Sequence, residues 1–553
     1  MTSTFITATS VASGIRIQLA AAGDQVVVIQ GVTYGSDNER VIYGANGNHS
    51  VIIEGSVISG AQVAIELYVG NNEVTIGALG SVRTSGTLAG YSSLSLFGAN
   101  NTLWNQGTIS SSSGIAAIFF GSTGSAVVNS GTIAGAETGL YLYNSSSFNV
   151  VNSGTIEGGT FSGFGTHAGI VASVGEAILI DNSGVIRGNG FGANAIDLSG
   201  GGTGAAGPSV ISNSGAIISL NGIAVSFQSY GVDNTVRIEN FGLIRGGTIA
   251  ISASDAANVV VNAGTIDGDV ILRDGADLYD GIGGVVYGVI DGGAGDDVYR
   301  ISDPLALLVE VAAGGNDRVE ATVSWNLLPT PEIENLTLLG GLALDGIGNA
   351  LGNVLRGNQG DNRLQGLAGD DTLYGANGDD RLDGGLNNDR AYGGNGDDAL
   401  RGRDGTDQLE GGSGDDVLWG ATGNDSLIGG DDDDLLFGGS GRDALTGGND
   451  ADLFALTRLG DSGTTVATRD VISDFLSGVD LIDLSRLDAI QGGGDDAFVF
   501  IGAAAFSSVA GQMRFRVNGA TVIVEGDVNG DGAADFSVVV NNMAVLGTGD
   551  FVL

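Results

Sequence analysis

Carboxylates recur at a fixed nine-residue interval between residues 357 and 455. Eleven units follow one another without a gap, and a typical one reads Gly411-Gly-Ser-Gly-Asp-Asp416-Val-Leu418-Trp. The first position is Gly in all eleven units, the sixth is Asp in ten, and the eighth is always apolar. The sixth-position acids are Asp371, Asp380, Asp389, Asp398, Asp407, Asp416, Asp425, Asp434, Asp443 and Asp452. Only the first unit differs, with Asn362 at that position.

These residue types at this spacing point to calcium. If the chain coils regularly, the acids stack into columns, and like charges that close repel unless a cation lies between them. Calcium accepts ~6–8 oxygen ligands and mixes carboxylates with backbone carbonyls, which glycine-rich turns leave free. A flexible Gly/Asp linker shares this composition but does not need an apolar residue in every unit. The pattern therefore predicts a calcium-binding parallel β-roll over residues 348–455.

Two further places could bind calcium outside the array. One is Asp297, in the isolated nonapeptide Asp291-Gly-Gly-Ala-Gly-Asp-Asp297-Val-Tyr299. The other is a loop whose polar residues are spaced like the start of an EF-hand loop. Its candidate ligands are Asp527, Asn529, Asp531 and Asp535. The twelfth position of that loop is Val538 and not Glu, so a polar β-turn is the alternative interpretation.

A longer repeat, Asn-x-Gly-x-Ile, runs through the N-terminal half in steps of 22 to 31 residues. Its seven asparagines are Asn105, Asn129, Asn152, Asn182, Asn213, Asn240 and Asn262. Each step also carries three short segments with β-strand patterning, which predicts a parallel β-helix over residues 1–272. Asparagines that recur in every turn favour a ladder of amide hydrogen bonds over a binding site.

The chain is therefore predicted to be all-β and to have four segments. The β-helix over 1–272 is followed by a β-rich junction with isolated nonapeptides over 273–347. The calcium-binding roll over 348–455 comes next. Residues 456–553 form a β-rich C-terminal domain, with strand-like runs such as Val471-Ile-Ser-Asp-Phe475 and Val522-Ile-Val524.

Composition excludes several classes of function. The 553 residues include 99 Gly, no Cys and no Lys, so disulfides and lysine Schiff bases are ruled out. The net charge of −43 argues against nucleic acid or an anionic membrane as a partner and favours cations. No apolar run is long enough to span a bilayer. The first residues lack the features of a secretory signal peptide, which predicts another export route for an extracellular protein.

The nonapeptides resemble those of the RTX proteins that are exported by type I secretion. Residues 456–553 are similar to the C-terminal domain of the serralysin proteases, through Val471–Phe475, Asp480-Leu-Ile-Asp-Leu-Ser485 and the final Asp550-Phe-Val-Leu553. The resemblance implies that the sixth-position Asp side chains and turn carbonyls bind several calcium ions. It also implies a C-terminal export signal, the type I secretion machinery as a partner, and folding outside the cell.

No catalytic constellation accompanies these features. The two histidines are 118 residues apart, which excludes a His-Glu-x-x-His zinc protease, and the lipase motif Gly-x-Ser-x-Gly is absent. The mannuronan epimerases also join a parallel β-helix to RTX repeats, but their Tyr-Gly-x-Asp-Pro-His type motif is missing. Asp181 and Glu239 each precede a ladder Asn, two turns and roughly 10 Å apart. Two acids alone do not identify an enzyme, so no catalytic residue is assigned.

The sequence favours a secreted, non-enzymatic calcium-binding protein: an adhesin, an extracellular matrix protein or a surface-layer component. A cell-surface or matrix polysaccharide, or another copy of the chain, is the predicted partner. The alternative is a secreted polysaccharide-modifying enzyme, a lyase or an epimerase, that acts through the groove of the β-helix. A groove lined by acids, Arg and aromatic residues favours the enzyme, whereas smooth ladders of Asn, Ser and Thr favour the structural role.

Overall fold

The chain is all-β, as predicted from its repeats. The computed structural model describes residues 3–7, 10–11, 17–36, 39–86, 91–145, 147–159, 167–174, 177–200, 208–229, 235–312, 314–490 and 496–553. Within these ranges the only helix is a single 3-10 turn, Thr548–Asp550. The chain divides into two compact units, residues 1–315 (unit 1) and residues 316–553 (unit 2). The four predicted segments stay a prediction.

Unit 1 is a parallel β-helix in which each strand pairs with the equivalent strand one turn later. The first row of strands in unit 1 comprises Ser3–Ile6, Gln25–Val28, Ser50–Ile53, Glu73–Ile76, Thr102–Asn105, Ala126–Asn129, Phe148–Asn152, Ile178–Asn182, Ser209–Asn213, Val236–Asn240, Val259–Asn262, Leu278–Asp280 and Val298–Ile301. The pairings along this row are parallel, for example Asn105 with Asn129 and Asn129 with Asn152.

Two further rows complete each turn. The second row comprises Ser10–Val11, Thr33–Ser36, Ser56–Ser59, Ser81–Thr84, Thr108–Ser111, Thr132–Gly135, Thr155–Gly158, Val185–Gly188, Ala216–Ser219, Leu243–Ser252, Thr265–Ile271 and Val285–Val286. The third row comprises Ile17–Leu19, Ile42–Gly44, Ile65–Leu67, Ser92–Phe97, Ile115–Phe120, Thr138–Ser145, Ala168–Val174, Asn194–Gly200, Val225–Ser229, Val289–Asp291 and Leu307–Val309. Strand Leu243–Ser252 pairs with members of both rows.

Alternation along each short strand sends one set of side chains inward. In Thr132–Gly135, for example, Ile133 is fully buried while its neighbours are partly exposed. The isoleucine of the Asn-x-Gly-x-Ile repeat stays in register from turn to turn, so Ile109 lies beside Ile133 and Ile133 beside Ile156. These apolar stacks form the core of unit 1 and confirm the predicted three strands per turn.

The seven repeat asparagines form the predicted ladder. The amide nitrogens of the first six donate to the amide oxygen one turn later, at 2.7–2.8 Å, and that of Asn262 donates to the Tyr279 hydroxyl at 3.5 Å. Each also donates to a backbone carbonyl in the next turn, as Asn105 does to Thr132 at 3.1 Å. All seven side chains are at least 99% buried. The ladder therefore uses the amide groups of these side chains inside the fold, apart from the amide oxygen of Asn105 at its first rung.

Unit 2 is built from two parallel rows of strands joined by tight turns. The first row comprises Arg318–Ala321, Asn335–Leu338, Val354–Arg356, Thr372–Asn377, Arg390–Asn395, Gln408–Ser413, Ser426–Asp431, Ala444–Gly448 and Val471–Ile472. The second row comprises Trp325–Asn326, Asp345–Ile347, Arg363–Ala368, Arg381–Leu386, Ala399–Asp404, Val417–Gly423, Leu435–Gly441, Leu453–Ala455, Leu481–Asp483 and Phe551–Val552. Within the array partners are 18 residues apart, as in Leu400 with Leu418, so two nonapeptides make one coil.

The end of unit 2 departs from the repeat. Three strands, Gln512–Asn518, Thr521–Asp527 and Phe536–Asn541, form an antiparallel meander, and Val499–Phe500 extends it. Phe536–Asn541 also runs parallel to Val471–Ile472, which attaches the meander to the first row of the roll. The strand-like runs predicted after residue 456 thus form strands.

Candidate metal centre

Each nonapeptide folds as a turn followed by a short strand. From the second unit onward, the second and fourth positions adopt positive φ, for example 126° at Gly412 and 117° at Gly414, a backbone conformation in which glycine carries no steric penalty. The eighth-position side chain points into the roll, and Leu409 and Leu418 are buried. With that side chain inside, the sixth position also faces inward, at the edge where the turn meets the strand.

The sixth-position acids line up along the two edges of the roll. The Asp371 column contains Asp371, Asp389, Asp407, Asp425 and Asp443, and the Asp380 column contains Asp380, Asp398, Asp416, Asp434 and Asp452. In both columns Oδ1 of each Asp accepts a hydrogen bond from the backbone N–H of the residue one coil earlier, at 2.6–3.1 Å. Every one of these side chains is at most 2% exposed.

The second carboxylate oxygen of these acids has no protein partner. Buried Oδ2 atoms without a hydrogen bond occur at Asp371, Asp380, Asp389, Asp398, Asp407, Asp416, Asp425, Asp434 and Asp443. A buried acceptor in this state costs about 1–3 kcal/mol, and more when it is charged. Because the same oxygen atom is unpaired at nine equivalent positions, we infer that a bound ligand, and not a protein group, completes each site.

The space beside each of these oxygens is shaped by the first-position glycine. A β-carbon on Gly411 would clash with Oδ2 of Asp416 and would lie 2.7 Å from the carbonyl oxygen of Gly429. The same clash with the acid five residues later occurs at every first-position glycine from Gly366 to Gly447. A carboxylate oxygen and a carbonyl oxygen thus face one small space. This oxygen set fits calcium, and it explains why the first position admits no side chain.

Electrostatics supports the same assignment. Burial is the largest influence on these acids, and neighbouring carboxylates add to it, raising the pKa of Asp371 and Asp434 to about 8 and that of Asp416 to about 7. At the low end, burial raises the pKa of Asp398 to about 6. A bound divalent cation would reverse these shifts by stabilising the ionised form. Without a cation, the columns hold their carboxylates at a high electrostatic cost.

Both columns extend beyond the repeat through acids that the motif does not identify. Asp443 N–H donates to Oδ1 of Asp470 at 2.9 Å, and Asp452 N–H donates to Oδ1 of Asp480 at 3.2 Å. The sequence steps are 27 and 28 residues instead of 18, so periodicity could not reveal them. The available signal was an Asp directly before an apolar pair, in Asp470-Val-Ile and Asp480-Leu-Ile.

The columns begin with neutral side chains. Asn362 N–H donates to Asp380 Oδ1 at 2.6 Å, and the Asn362 amide donates to the carbonyl of Leu344 at 3.2 Å. Asn353 plays the same part ahead of Asp371. An amide group presents one acceptor oxygen where a carboxylate presents two. The first coil therefore offers a weaker site than those that follow it.

Unit 1 contains a related arrangement around the predicted ligand Asp297. Asp277 N–H donates to Oδ1 of Asp297 at 2.7 Å, and Asn258 N–H donates to Oδ1 of Asp277. Oδ2 of Asp277 is buried without a partner, and burial raises the pKa of Asp277 to about 8. Asp277 was missed because its unit has Leu272 and Arg273 where the repeat has two glycines. Its signal was the shared Gly-x-Asp-x-Tyr pattern, 20 residues before that of Asp297.

The loop that resembles an EF-hand joins two antiparallel strands, and its acidic side chains accept hydrogen bonds from its own backbone. Oδ1 and Oδ2 of the buried Asp527 accept hydrogen bonds from the N–H groups of Gly530 and Gly532, at 2.7 and 2.9 Å. Asp535 Oδ2 accepts from Val528 N–H at 2.7 Å. The other two candidate ligands, Asn529 and Asp531, lie in the same loop, linked from Asp531 N–H to Asn529 Oδ1 at 2.8 Å. Calcium binding by this loop stays a prediction.

Asp181 and Glu239 occupy the same outward column of the first row in unit 1, with Ser212 between them. This confirms their predicted separation of two turns. Glu239 forms an ion pair with Arg237 at 2.7 Å, two residues away on the same strand. The two acids lie on the outer face of a continuous sheet.

Comparison with known proteins identifies the array. The RTX calcium-binding nonapeptide repeat (four copies) matches residues 347–382, 356–391, 383–418, 392–427 and 419–454. Residues 347–454 are therefore RTX calcium-binding repeats, which confirms the prediction made from their spacing. Among the described residues no helix has the length and apolarity needed to cross a membrane.

The solved structures that are similar to part of this chain include two subunits of one enzyme. They are the AlgE6R3 and AlgE6R2 subunits of the Azotobacter vinelandii mannuronan C5-epimerase, each 24% identical over 30% of this chain. The alignments cover 78% and 91% of those chains, with TM-scores of 0.20 and 0.17. No curated protein matches the chain.

Proposed function

We propose that the chain is a secreted calcium-binding structural protein, an adhesin, matrix or surface-layer component, whose roll folds when it meets calcium outside the cell. The observation that carries this proposal is the row of nine buried Oδ2 atoms without a protein partner along the two Asp columns. Residues 348–455 carry 22 acids and 7 Arg, a net charge of −15 that a bound cation would offset.

Calcium concentration supplies the switch in this proposal. Extracellular-type sites bind calcium with dissociation constants of about 10⁻⁴–10⁻³ M and stay mostly empty in the cytosol. When a site forms only in the folded state, ligand binding energy becomes folding energy. The roll would then remain unfolded during export by the type I secretion machinery and fold afterwards.

A role in contact with partners is supported by the outside of unit 1. Large apolar side chains are exposed there, among them Phe191 at 98% and Phe241 at 57%. Trp104 and Leu179 are each 44% exposed on the outer face of the first row of strands. These side chains provide apolar surface that a partner, either a polysaccharide or a second copy of the chain, would contact.

The direct test is folding against calcium. Far-ultraviolet circular dichroism and hydrogen exchange of the full chain should show residues 348–553 protected in millimolar calcium and unprotected with chelator. Magnesium is the control, because its smaller ion demands octahedral geometry and keeps its own waters. Equal protection of that region with and without calcium would overturn the proposal.

The second candidate function is a polysaccharide-modifying enzyme, and one observation favours it. A groove of about 520 Å³ runs along the second row of unit 1, lined by Arg83, Ser110 and Glu157. Most of its remaining lining is Ser, Thr, Ala and Gly, which favours the structural role. Incubating the protein with acidic polysaccharides and measuring chain length and uronate composition would separate the two. Turnover that disappears in Glu157→Gln or Arg83→Ala would establish the enzyme.

A further inference from the structure

The two edges of the roll differ at the residue beside each column Asp. The fifth-position residues in the turns along the Asp380 column are Asp361, Asp379, Asp397, Asp415 and Asp433, at intervals of 18 residues. The fifth-position residues along the Asp371 column are Asp370, Asn388, Thr406, Asn424 and Arg442. Asp361 precedes Asn362, and Ala451 precedes Asp452, the last acid of that column. One edge therefore carries a fifth-position acid in five consecutive coils, whereas the other carries one acid, three neutral residues and a cation.

These additional carboxylates form an ordered outer row. Oδ1 of each accepts a hydrogen bond from the fifth-position N–H one coil later, as Asp361 does from Asp379 at 3.1 Å and Asp397 does from Asp415 at 3.0 Å. The same bond recurs along the whole row at 2.9–3.2 Å. All five side chains are exposed. The outer row is thus held in fixed register with the buried column next to it.

The buried column on this edge independently points to an ion. Asp380, Asp398, Asp416 and Asp434 are each at most 2% exposed and have an Oδ2 atom without a protein partner. An ion that completes these atoms lies alongside two rows of carboxylates. An ion on the opposite edge meets one buried row, flanked mainly by neutral side chains and, at the last coil, by the positive charge of Arg442.

We infer that the roll binds calcium in two classes of site, and that the Asp380 edge binds more tightly and fills at lower calcium than the Asp371 edge. This inference rests on the proposed function, because it assumes that calcium completes both columns. Ligand charge is one of the two properties that tune calcium affinity in proteins. Nearby exposed carboxylates attract a divalent ion through partly screened Coulomb interactions, which corresponds to about a tenfold difference in dissociation constant.

The test is a calcium titration of the full chain followed with a calcium-selective electrode. Wild-type protein should show two classes of site whose midpoints differ by about tenfold. The variant D361N/D379N/D397N/D415N/D433N keeps the Oδ1 acceptors of the outer row and removes five charges. Its tighter class should weaken until the two classes merge. Circular dichroism in saturating calcium checks that this variant folds.

The converse variant is N388D/N424D, which adds acids to the Asp371 edge at equivalent positions. It should tighten the weaker class and leave the tighter class unchanged. Two results would overturn the inference and leave the proposed function standing. One is a single class of site in the wild type. The other is a variant with all five Asp→Asn substitutions that loses affinity in the weaker class. A wild-type chain that binds no calcium would instead overturn the proposed function.

Discussion

The Asn ladder of unit 1 and the Asp columns of unit 2 solve the same geometric problem with different chemistry. In both, one buried side chain per coil lies directly above its equivalent in the next coil. An amide donates and accepts, so Asn182 binds Asn213 and the ladder is complete without outside help. A carboxylate only accepts, so Oδ1 takes a backbone N–H and Oδ2 is left over. Replacing the amide nitrogen by a carboxylate oxygen therefore changes a stack that is complete within the protein into one that needs a bound ion.

Removal of calcium should reveal this difference with the largest effect. With chelator, the buried carboxylates within each column repel one another, so residues 348–455 should unfold. Residues 456–553 should unfold with them, because their strands continue the same rows. The Asn ladder contains no charge and should keep its protection. Hydrogen exchange with mass spectrometry resolves the two regions in one experiment. Loss of protection at Asn129–Asn240 as early as in the roll would show that the ladder is not self-sufficient.

The pH dependence of the metal-free protein gives the next largest effect. Burial raises the pKa of Asp371, Asp416 and Asp434 to about 8, 7 and 8, above the value near 3.9 of an unfolded chain. Because the folded pKa is the higher one, protonation stabilises the metal-free roll fully below about pH 4, and this stability is lost as pH rises through about 6 to 8.

Circular dichroism with chelator should therefore show β structure of the roll at about pH 4–5 that disappears by about pH 8. In saturating calcium the roll should stay folded across that range, which is the matched control. A metal-free roll that is more stable at the alkaline end of this range than at the acidic end would mean that the carboxylates are not buried together.

Exchanging the two side chains tests the difference residue by residue. Asn182→Asp removes the amide donor to Asn213 and places an unpaired charge in a fully buried ladder, which should cost about 3–5 kcal/mol of unfolding free energy. Asp416→Asn should weaken calcium binding and lower the midpoint of thermal unfolding in calcium. With chelator, Asp416→Asn should instead stabilise the roll, because one of the repelling charges is gone.

The Asp416→Asn effect thus changes sign with calcium, whereas the Asn182→Asp effect does not. Thermal unfolding of both variants measures the difference, in saturating calcium and with chelator at about pH 6, where the metal-free roll still keeps part of its structure. Asn182→Gln, which keeps an amide but displaces it, separates loss of the ladder geometry from the effect of charge. The same sign for Asp416→Asn in both conditions would show that the acid has only a packing role.

The smallest expected effect concerns backbone conformation. Ala376 and Ala421 occupy the second repeat position with φ of 90° and 85°, where most units have glycine. Ala421→Gly relieves a conformation that costs an L-residue about 1–2 kcal/mol, partly offset by the greater entropy of an unfolded glycine. Denaturant titration in saturating calcium should therefore show a gain in stability of up to about 1 kcal/mol. Ala117→Gly, at a fully buried strand position in unit 1, is the control and should destabilise.

Regular spacing made most of the fold predictable. The steps of Asn105, Asn129 and Asn152 placed the ladder correctly because each turn must bury the same residue in the same place. The nine-residue period likewise placed every column Asp of the array. Patterns of this kind are visible because the same physical requirement is repeated along the chain.

Residues outside the strict period escaped prediction for an equally physical reason. Asp470 and Asp480 continue the columns after intervening loops, so their contacts depend on tertiary pairing and not on a fixed step. The unit of Asp277 has Leu272 and Arg273 in place of the two glycines that begin a typical repeat. The sequence also contains the difference in acid content between the two edges. That difference can be recognised only when alternate nonapeptides are assigned to opposite edges of the roll.

The hydrogen bond from each Asp N–H to the Asp of the following coil determines how the roll grows. A coil cannot complete its own edge, since the acceptor comes from the next coil along the chain. Each ordered coil therefore stabilises the neighbouring coil, and folding is expected to proceed from one coil to the next along the roll. Asp470 and Asp480 supply the final layer. Replacing both acids should leave the N–H groups of Asp443 and Asp452 without these acceptors. Local unfolding should then begin at this end of the array and extend into it.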